Sequence, residues 1–350
     1  MARAAQARRH RLIIPEGYRP KLHLRETEVA IKFVKDLFQN RLARVLSLQR
    51  VSAPIAVTQK SGVNDYLNGI ERPASFYIKD VGLEAEIVQS LAKWKRAALA
   101  DYGMRPGEGL YTDMNAIRPD ERLDSLHSVY VDQWDWEKIV RRDERSLEYL
   151  KGVVRSIYAV IAGTERMVCR RWPKLGKPVL PPRIHFVHSE DLEAAYPSLS
   201  PEDREERVAR QRGAVFVIGI GHPLADGRPH DGRAPDYDDW WTETGRGRRG
   251  LNGDIIVWNP TLGCSFELSS MGIRVDKVSL KAQLALRGVE TSPYHRRILS
   301  GDLPLSIGGG IGQSRLCMFF LRKAHIGEVQ AAVWPDQMRR TCADAGIELL

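Results

Sequence analysis

The segment Leu126-His-Ser-Val-Tyr-Val-Asp-Gln-Trp-Asp-Trp-Glu137 carries the clearest structural pattern in the chain, because polar and aromatic residues alternate along it. Successive side chains of a β-strand point to opposite faces, so Gln133 and Asp135 are expected on one face and Trp134 and Trp136 on the other. The aromatic face predicts packing against a core. The polar face suits a site for a small zwitterion, although a half-buried strand whose polar face meets water has the same pattern.

Strand and helix patterns recur on both sides of this segment. Period-2 or short apolar runs predict strands, and apolar residues spaced three or four apart predict helices. Strands are expected at residues 50–57, 76–78, 84–88, 110–117, 127–133, 184–188, 215–220, 255–258 and 265–270, and helices at 26–46, 90–100, 146–171, 201–212 and 279–287. The strands do not alternate regularly with helices, so we predict an α+β fold with a mostly antiparallel β-sheet flanked by helices.

Positive charge is concentrated at the start of the chain. The 350 residues have a formal net charge of +9, and residues 1–25 alone carry +6. We predict a flexible basic extension over residues 1–22 and a single domain over residues 23–350, because no low-complexity linker divides the rest. A targeting segment and an RNA-contacting arm are the alternatives for the extension. The remaining charge gives no basis for a nucleic-acid groove across the fold, so nucleic-acid binding is not expected.

Composition and spacing exclude further classes of protein. The longest strongly apolar stretch, residues 214–221, is far shorter than the roughly 18 to 20 residues of a membrane span. The four cysteines form no C-x-x-C pair and have no histidines at zinc-ligand spacing: Cys169, Cys264, Cys317 and Cys342. We expect reduced thiols in a cytosolic protein that has no membrane segment.

A glycine-rich string near the C-terminus is a candidate nucleotide site. Gly308-Gly-Gly-Ile-Gly-Gln-Ser-Arg315 predicts a glycine turn that opens a helix, since glycine tolerates backbone conformations that other residues avoid. A flat ligand can approach such a turn closely, and the Arg315 guanidinium can stack over a purine. A tight strand-to-helix turn with an exposed arginine explains the string equally well. Standard P-loop and dinucleotide-binding signatures are missing.

Two further segments carry basic residues that suit anion binding. Arg118 follows a predicted strand in Arg118-Pro-Asp-Glu121, and a guanidinium at such a strand end can hold two phosphate oxygens. Ser90 is a predicted N-cap for a helix that has Lys95 and Arg96 near its N-terminus. Taken alone, each segment is more often an ordinary surface turn or a solvated helix face.

Asp254 and Glu267 are candidate metal ligands on successive predicted strands. Two carboxylates from neighbouring strands can hold Mg²⁺, which keeps several waters and is often shared with substrate phosphates. Structural ion pairs are the alternative. Together with the anion-binding segments and the polar strand face, these carboxylates indicate a nucleotide, a metal and a small charged substrate.

These strings together resemble one family, the ammonia-dependent asparagine synthetases, also called aspartate–ammonia ligases. The matching segments follow one another along the chain: Gly62-Val-Asn-Asp65, Ser90-Leu-Ala-Lys-Trp-Lys-Arg96, Glu108-Gly-Leu-Tyr-Thr112, Ile117-Arg-Pro-Asp-Glu121, residues 126–137, Ala234-Pro-Asp-Tyr-Asp-Asp-Trp240, Leu251-Asn-Gly-Asp254, Phe266-Glu-Leu-Ser-Ser-Met-Gly-Ile-Arg274 and residues 308–315. Two residues depart from the family pattern: Gln89 stands where a histidine is expected, and Tyr66 where a small polar or acidic residue is expected.

The resemblance implies a fold related to the catalytic domain of class II aminoacyl-tRNA synthetases and a cytoplasmic homodimer. It further implies a ligase that uses ATP and Mg²⁺ to make L-asparagine from L-aspartate and ammonia. In that family, the β-carboxylate of aspartate attacks the α-phosphate of ATP, which gives β-aspartyl adenylate and pyrophosphate. Ammonia then displaces AMP.

The resemblance also implies roles for individual residues. Arg118 and Gln133 would stabilise the reacting α-phosphate, and Asp65 would bind the aspartate ammonium and help ammonia to lose a proton. The remaining implied residues are Ser90, Lys95, Asp135, Ser270 and Arg274 for the amino acid, Ser128, Gly310, Gly312 and Arg315 beside Arg118 for the nucleotide, and Asp254 and Glu267 for Mg²⁺.

Other function classes stay open on sequence alone. A relative of aspartyl- or asparaginyl-tRNA synthetase would form the same adenylate, but no stretch resembles a separate anticodon-binding domain. A non-catalytic RNA-binding paralogue would be favoured by loss of the residues implied above for phosphate, purine and metal, and these are present. Glutamine is not the expected nitrogen donor, because position 2 is Ala2 and no cysteine precedes residue 169.

Overall fold

The computed structural model describes residues 12–65, 67 and 71–350. Within these ranges the strands are β1 (Leu48–Arg50), β2 (Ala56–Thr58), β3 (Ser75–Ile78), β4 (Leu83–Ile87), β5 (Gly109–Ile117), β6 (Tyr130–Ile139), β7 (His185–His188), β8 (Ala214–Ile218), β9 (Glu243–Gly245), β10 (Arg248–Arg249), β11 (Asn252–Asn259), β12 (Cys264–Ile273) and β13 (Ser306–Gly312). The helices are α1 (Leu24–Leu46), α2 (Ala92–Asp101), α3 (Leu147–Arg171), α4 (Ser189–Ala195), α5 (Pro201–Arg212), α6 (Lys277–Arg287), α7 (Pro293–Ser300), α8 (Gln313–Phe320) and α9 (Asp336–Asp344).

Eight of these strands form one sheet in the order β1-β5-β6-β13-β12-β11-β8-β7. The five inner pairings are antiparallel, whereas β1 pairs with β5 and β7 with β8 in parallel. Strands β2, β4 and β3 form a separate small sheet, and β9 and β10 form a hairpin within the long loop between β8 and β11. The predicted α+β class with a mostly antiparallel sheet is confirmed.

The alternation along β6 separates a core face from a polar face, as predicted. Trp134 and Trp136 are fully buried, and the ring of Phe38 from α1 packs against the Trp134 ring with centroids 4.7 Å apart. α1 and α3 cover this face because their apolar residues recur every three to four positions. Gln133 and Asp135 project from the opposite face, where a cavity lies.

β6 begins later than predicted because a local turn precedes it, and it extends beyond the predicted end to Ile139. The strand starts at Tyr130 rather than at residue 127. The Asp124 carboxylate accepts hydrogen bonds from the backbone N–H groups of Leu126 at 2.6 Å and His127 at 2.8 Å. This carboxylate turn holds residues 126 and 127 out of the ladder.

The glycine-rich string is a strand, and the predicted glycine turn is wrong. Residues 306–312 form β13 between β6 and β12, and α8 follows directly. Glycine is needed because side chains of β6 fill the space above this strand. A Cβ at Gly308 would overlap the Glu137 carboxylate, and one at Gly310 would overlap the Gln133 amide.

Part of the predicted basic extension packs against the domain. Leu22 is fully buried, and the Tyr18 hydroxyl donates to Glu328 Oε2 at 3.0 Å. Residues 1–11 lie outside the described residues, so the bounds and flexibility of the extension stay predictions. All four cysteines are free thiols, as expected. Within the described ranges, no helix combines the length and the apolar character needed to cross a bilayer.

Candidate active site

A cavity of about 230 Å³ opens on the polar face of β6. Its lining includes every predicted site residue except one: Asp65, Ser90, Lys95, Arg118, Ser128, Gln133, Asp135, Glu267, Ser270, Arg274, Gly310, Gly312 and Arg315. Asp254, the exception, lines an adjoining cavity of about 220 Å³. Glu267 and Arg315 line both cavities, so all the predicted residues belong to one continuous region.

The pairing of three central strands explains why residues far apart in sequence meet here. Asp135 of β6 lies opposite Gly310 of β13, which in turn lies opposite Ser270 of β12. Alternate residues of a strand share a face, so Gln133 projects beside Asp135. The bare backbone of β13 leaves room for these side chains and for a ligand above them.

Lys95 and Asp135 form a buried ion pair in the cavity wall. Lys95 Nζ lies 2.5 Å from Asp135 Oδ1 and donates to the backbone oxygen of Gly309 at 2.8 Å. The solvated-face interpretation of this helix is wrong, because Arg96 is also buried and donates to two backbone carbonyls. Asp135 Oδ2 is buried and has no hydrogen-bond partner in the described part of the chain. That oxygen is available to a ligand cation.

The loop that carries Asp65 is fixed to the start of α2. Asn64 Oδ1 accepts hydrogen bonds from the backbone N–H groups of Asp65 and Gln89, both at 3.0 Å. Ser90 does not occupy the N-cap position predicted for it, because α2 begins one residue later than expected. Its hydroxyl instead accepts a hydrogen bond from the Ala92 N–H at 3.1 Å. These contacts place Asp65 and Ser90 on the same side of the cavity.

Asp65 is a buried carboxylate whose pKa is raised to about 6. Its side chain belongs to a residue only 2% exposed, and Oδ2 has no hydrogen-bond partner within residues 12–65, 67 and 71–350. Burial raises the pKa of Asp65 to about 6; Lys93 opposes this shift and Asp236 reinforces it. A carboxylate with this pKa is ionised at neutral pH yet basic enough to accept a proton.

Arg118 directly follows the end of β5, as predicted, and it lines the cavity. Its Nη2 donates to the backbone oxygen of Gln89 at 3.2 Å, and its side chain is 22% exposed. A guanidinium has five N–H donors, so several remain for a phosphate. The side chain of Gln89 itself is fully buried, and neither of its amide atoms has a partner among the described residues. Tyr66, the other departure from the family pattern, lies outside the described residues.

Arg274 is held in place by two carboxylates that the sequence analysis did not single out. Its Nε and Nη2 donate to Glu137 at 2.8 to 3.1 Å, and its Nη1 donates to Asp238. Burial alone would raise the pKa of Glu137, but Arg274, together with Lys95 and Ser306, outweighs burial and lowers it. The oriented guanidinium retains N–H groups that can meet a substrate carboxylate. Glu137 and Asp238 both stand inside segments that carry the family resemblance.

Arg315 lies where the two cavities meet. Its Nη1 donates to the backbone oxygen of Glu267 at 2.9 Å, and its guanidinium carbon lies 5.8 Å from the centroid of the Phe266 ring. These contacts orient a partly exposed guanidinium plane. Such a plane suits stacking on a flat ligand.

Arg233 forms an ion pair with Asp254, one of the two carboxylates predicted to bind a metal. Its Nη2 lies 2.5 Å from both Asp254 Oδ1 and Oδ2, and 3.2 Å from Ser270 Oγ. Burial raises the pKa of Asp254 to about 7, although Arg233 opposes the shift; Glu267 adds to it. No group of three or more metal-binding side chains exists among the described residues. Two neighbouring carboxylates nevertheless fit Mg²⁺, which takes one or two protein ligands and completes its shell with water and phosphate.

Arg233 has one signal in the sequence. It directly precedes the family-like segment Ala234 to Trp240.

Comparison with known proteins identifies the family. The family model described as aspartate-ammonia ligase matches residues 25–346. The aspartate–ammonia ligase of Bacteroides thetaiotaomicron is 54% identical over 344 residues, which cover 97% of this chain and 99% of that protein. The aspartate–ammonia ligase of Bacillus cytotoxicus is 56% identical over 335 residues, which cover 95% and 99% of the two chains.

Solved structures show the same architecture at much lower identity. The asparaginyl-tRNA synthetase of Pyrococcus horikoshii, complexed with asparaginyl-adenylate, has a TM-score of 0.64 and 16% identity, covering 88% of this chain and 70% of that one. The Entamoeba histolytica asparaginyl-tRNA synthetase in complex with asparaginyl-adenylate has a TM-score of 0.60 and 13% identity, covering 87% and 66%. This likeness confirms the predicted class II aminoacyl-tRNA synthetase fold. With its family model and its relatives in agreement over nearly the whole length, the chain belongs to the aspartate–ammonia ligase family.

Proposed function

We propose that this protein makes L-asparagine from L-aspartate and ammonia through a β-aspartyl adenylate, with ATP converted to AMP and pyrophosphate. The observation that supports this reaction most directly concerns two carboxylate oxygens, Asp65 Oδ2 and Asp135 Oδ2, which have no hydrogen-bond partner among the described residues and belong to the cavity that also contains Arg118. A zwitterionic amino acid whose ammonium meets the carboxylates can present its other end to the arginine.

The aspartate would bind between the α2 side of the cavity and β6. Its ammonium would donate hydrogen bonds to Asp65 Oδ2 and Asp135 Oδ2. Its α-carboxylate would meet Arg274, Ser270 and Lys95, with Ser90 on the same wall as Asp65. Charge complementarity at both ends favours an amino acid over an uncharged substrate.

Adenylate formation would take place at Arg118. An oxygen of the β-carboxylate attacks the α-phosphorus of ATP, a P–O bond forms, and the bond to the bridging oxygen breaks so that pyrophosphate leaves. The Arg118 guanidinium and the Gln133 amide would donate to the phosphate oxygens as negative charge accumulates on them. Arg315 would stack on the adenine, and Ser128, Gly310 and Gly312 would line the nucleotide on the strand side.

Asp254 and Glu267 would hold Mg²⁺ together with the phosphates of ATP. When bound, the ion offsets phosphate charge and orients the leaving pyrophosphate. Without the ion, Arg233 supplies the positive charge beside Asp254.

Amide formation would take place at the same β-carboxyl carbon, between Arg118 and Asp65. The nitrogen of ammonia attacks the β-carbonyl carbon, a C–N bond forms, and the C–O bond to AMP breaks. The nitrogen must then lose a proton, and the Asp65 carboxylate is the group best placed to take it because its pKa is raised to about 6.

We also propose a cytoplasmic homodimer. Exposed apolar side chains on and beside the small sheet support an interface between copies: Ile55 is 64% exposed, Tyr77 60% and Phe76 44%. The four free thiols are consistent with a reducing compartment. Light scattering after size exclusion tests the dimer, and a monomeric mass at micromolar concentration would contradict it.

Isotope transfer tests the adenylate route. Aspartate labelled with ¹⁸O in its β-carboxylate is incubated with ATP, Mg²⁺ and ammonium, and the nucleotide products are analysed by mass spectrometry. We expect one labelled oxygen in AMP, because the oxygen that attacks the α-phosphorus leaves with it. Labelled inorganic phosphate together with ADP would instead show attack on the γ-phosphate and would overturn the proposal.

A further inference from the structure

Three side chains to which no role has been given form a cluster: Asp236 and His295 are buried, and Lys93, which acts electrostatically on Asp65, is 13% exposed. Lys93 Nζ lies 2.7 Å from Asp236 Oδ2, and His295 Nε2 lies 3.0 Å from the same oxygen. The three residues come from α2, from the long loop and from α7. Asp236 Oδ1 is buried and has no hydrogen-bond partner in the described ranges.

The hydrogen bonds of His295 determine its tautomer. The backbone N–H of Ser292 donates to Nδ1 at 3.0 Å, so Nδ1 carries a lone pair rather than a proton. Nε2 therefore carries the hydrogen and donates it to Asp236. Asp236 accepts this N–H and an ammonium N–H on the same oxygen, which fixes the carboxylate and with it the position of Lys93.

Lys93 acts on Asp65 electrostatically without binding it. Within the described residues, the charged and titratable groups that act on Asp65 include Lys93 from α2, Asp236 and Tyr237 from the long loop, and Arg118 from the end of β5. Asp236 in turn faces Lys93 and His295 as well as Tyr294 of α7. The only ion pair that Lys93 makes among the described residues is with Asp236, and Asp65 Oδ2 stays open.

We propose that Lys93 is a positioning residue that keeps Asp65 ionised, and that Asp236 and His295 hold Lys93 away from Asp65 so that its oxygen stays open to the substrate nitrogen. A lysine paired directly with Asp65 would supply the same charge but would occupy the oxygen that the substrate needs. A site without this lysine would leave a buried carboxylate that tends to protonate. Holding the charge nearby avoids both outcomes.

The raised pKa values agree with this arrangement. Burial raises the pKa of Asp65 to about 6, and Lys93 is the largest influence in the opposite direction. Burial alone would lower the pKa of Lys93, but Asp236 and then Asp65 outweigh it, so its pKa is raised and the side chain stays charged. The inference rests on the proposed function, because it takes Asp65 to bind a substrate nitrogen.

The test is the pH dependence of adenylate formation in the full-length protein. Aspartate-dependent exchange between pyrophosphate and ATP is measured without ammonium, so that only the first half-reaction is observed. The wild-type value of kcat/KM for aspartate is expected to fall below a pH of about 6, where Asp65 protonates. This fall is the acidic limb of the pH profile. Lys93→Met should move the acidic limb to higher pH by about one unit, and Lys93→Arg should return it to the wild-type pH.

Asp236→Asn should move the limb in the opposite direction. With its partner neutralised, Lys93 is free to pair with Asp65, which lowers the pKa of Asp65 and blocks its open oxygen. We expect the acidic limb at lower pH and a KM for aspartate raised on the order of tenfold, with the KM for ATP unchanged. Lys79→Met removes an exposed lysine and serves as the control for loss of a positive charge elsewhere.

The outcomes separate the inference from the proposed function. Wild-type protein without aspartate-dependent exchange at any pH would overturn the proposed function and the inference with it. Normal wild-type exchange together with an unshifted limb in Lys93→Met, or with shifts of the same sign in Lys93→Met and Asp236→Asn, would overturn the inference alone. If Lys93→Met does not fold, Lys93→Gln, which keeps a polar side chain without the charge, replaces it in the same exchange measurement, and an unshifted pH profile in that variant would overturn the inference.

Discussion

Arg233 and Asp254 form a two-oxygen ion pair at the end of the site where the phosphates of ATP are proposed to lie. Arg233 Nη2 is 2.5 Å from each carboxylate oxygen, and Asp254 is almost fully buried. Because Asp254 is also a proposed Mg²⁺ ligand, the arginine and the metal would compete for one carboxylate. The stability of the metal-free protein therefore depends on the arginine.

Arg233→Met should destabilise the protein chiefly in the absence of Mg²⁺. Because the pKa of Asp254 is already raised to about 7, the carboxylate would take up a proton once the guanidinium is removed, and the lost hydrogen bonds should cost about 1 to 3 kcal/mol. Added Mg²⁺ should recover more of the free energy of unfolding in the variant than in the wild type, as measured by thermal unfolding. Arg246→Met, on the exposed turn of the same loop, is the matched control. Equal stabilisation of all three proteins by Mg²⁺ would argue against metal binding at Asp254.

Arg118→Ala should lower turnover by a factor on the order of 10² to 10³, because the guanidinium stabilises charge that accumulates on the α-phosphate. Steady-state kinetics with pyrophosphate release as the readout measures this loss. Arg122→Ala, an exposed arginine four residues away, should keep normal turnover. Near-normal turnover of Arg118→Ala would remove Arg118 from the mechanism.

Asp65→Asn should impair the use of aspartate far more than the binding of ATP. The amide keeps the size of the side chain but loses the charge that attracts the substrate ammonium. We expect a large increase in KM for aspartate and little change in nucleotide affinity, measured by calorimetry with ATP. Equal damage to both substrates would contradict the assignment.

The same variant should be more stable than the wild type at neutral pH. Burial raises the pKa of Asp65 from 3.8 to about 6, so the folded state disfavours the ionised form. The cost in folding free energy of ionising Asp65 is absent below pH 3.8, where the group is protonated in both the folded and the unfolded protein. It grows between pH 3.8 and about 6, and above that pH it stays constant at about 1 to 3 kcal/mol. Urea unfolding between pH 4 and 8 should show the difference in free energy of unfolding between variant and wild type widening up to about pH 6 and staying constant above it. A gap that does not change with pH would rule out ionisation of Asp65 as the cause.

Deleting residues 2 to 11 should leave asparagine synthesis intact. The first described residues are anchored to the domain independently of that segment, since Ile13 N donates to Ser125 Oγ at 2.8 Å. Turnover and salt dependence of the shortened protein provide the measurement. A large loss of activity would show that the extension belongs to the site or to the dimer.

Local patterns in the sequence predicted most of the fold. The α5 helix has its predicted bounds, residues 201–212, because a serine cap and a proline define its start and a glycine its end. The alternation along residues 131–137 gave the correct faces of β6. The start of β6 was missed because the Asp124 turn depends on a side-chain contact rather than on periodicity. The glycine string was predicted wrongly as a turn. Its glycines are required because side chains of β6 pack closely against them, and such a tertiary contact cannot be predicted from local sequence patterns.

The predicted site residues are those that lie in the sequence segments that resemble the family. The partners that orient those residues, such as Glu137 and Asp238 around Arg274, lie in the same strings but become meaningful only when β6, β12 and the long loop are assembled. The roles of Arg233 and Lys93 were not predicted for the same reason. Each depends on a carboxylate that comes from a different part of the chain.

Product analysis of the purified protein tests the central claim most directly. The protein is supplied with L-aspartate, ATP and Mg²⁺, together with either ammonium or glutamine, and the products are identified by mass spectrometry. We predict asparagine, AMP and pyrophosphate in equal amounts with ammonium, and no asparagine with glutamine alone. Pyrophosphate without asparagine in the presence of ammonium, or no turnover of ATP at all, would contradict the account.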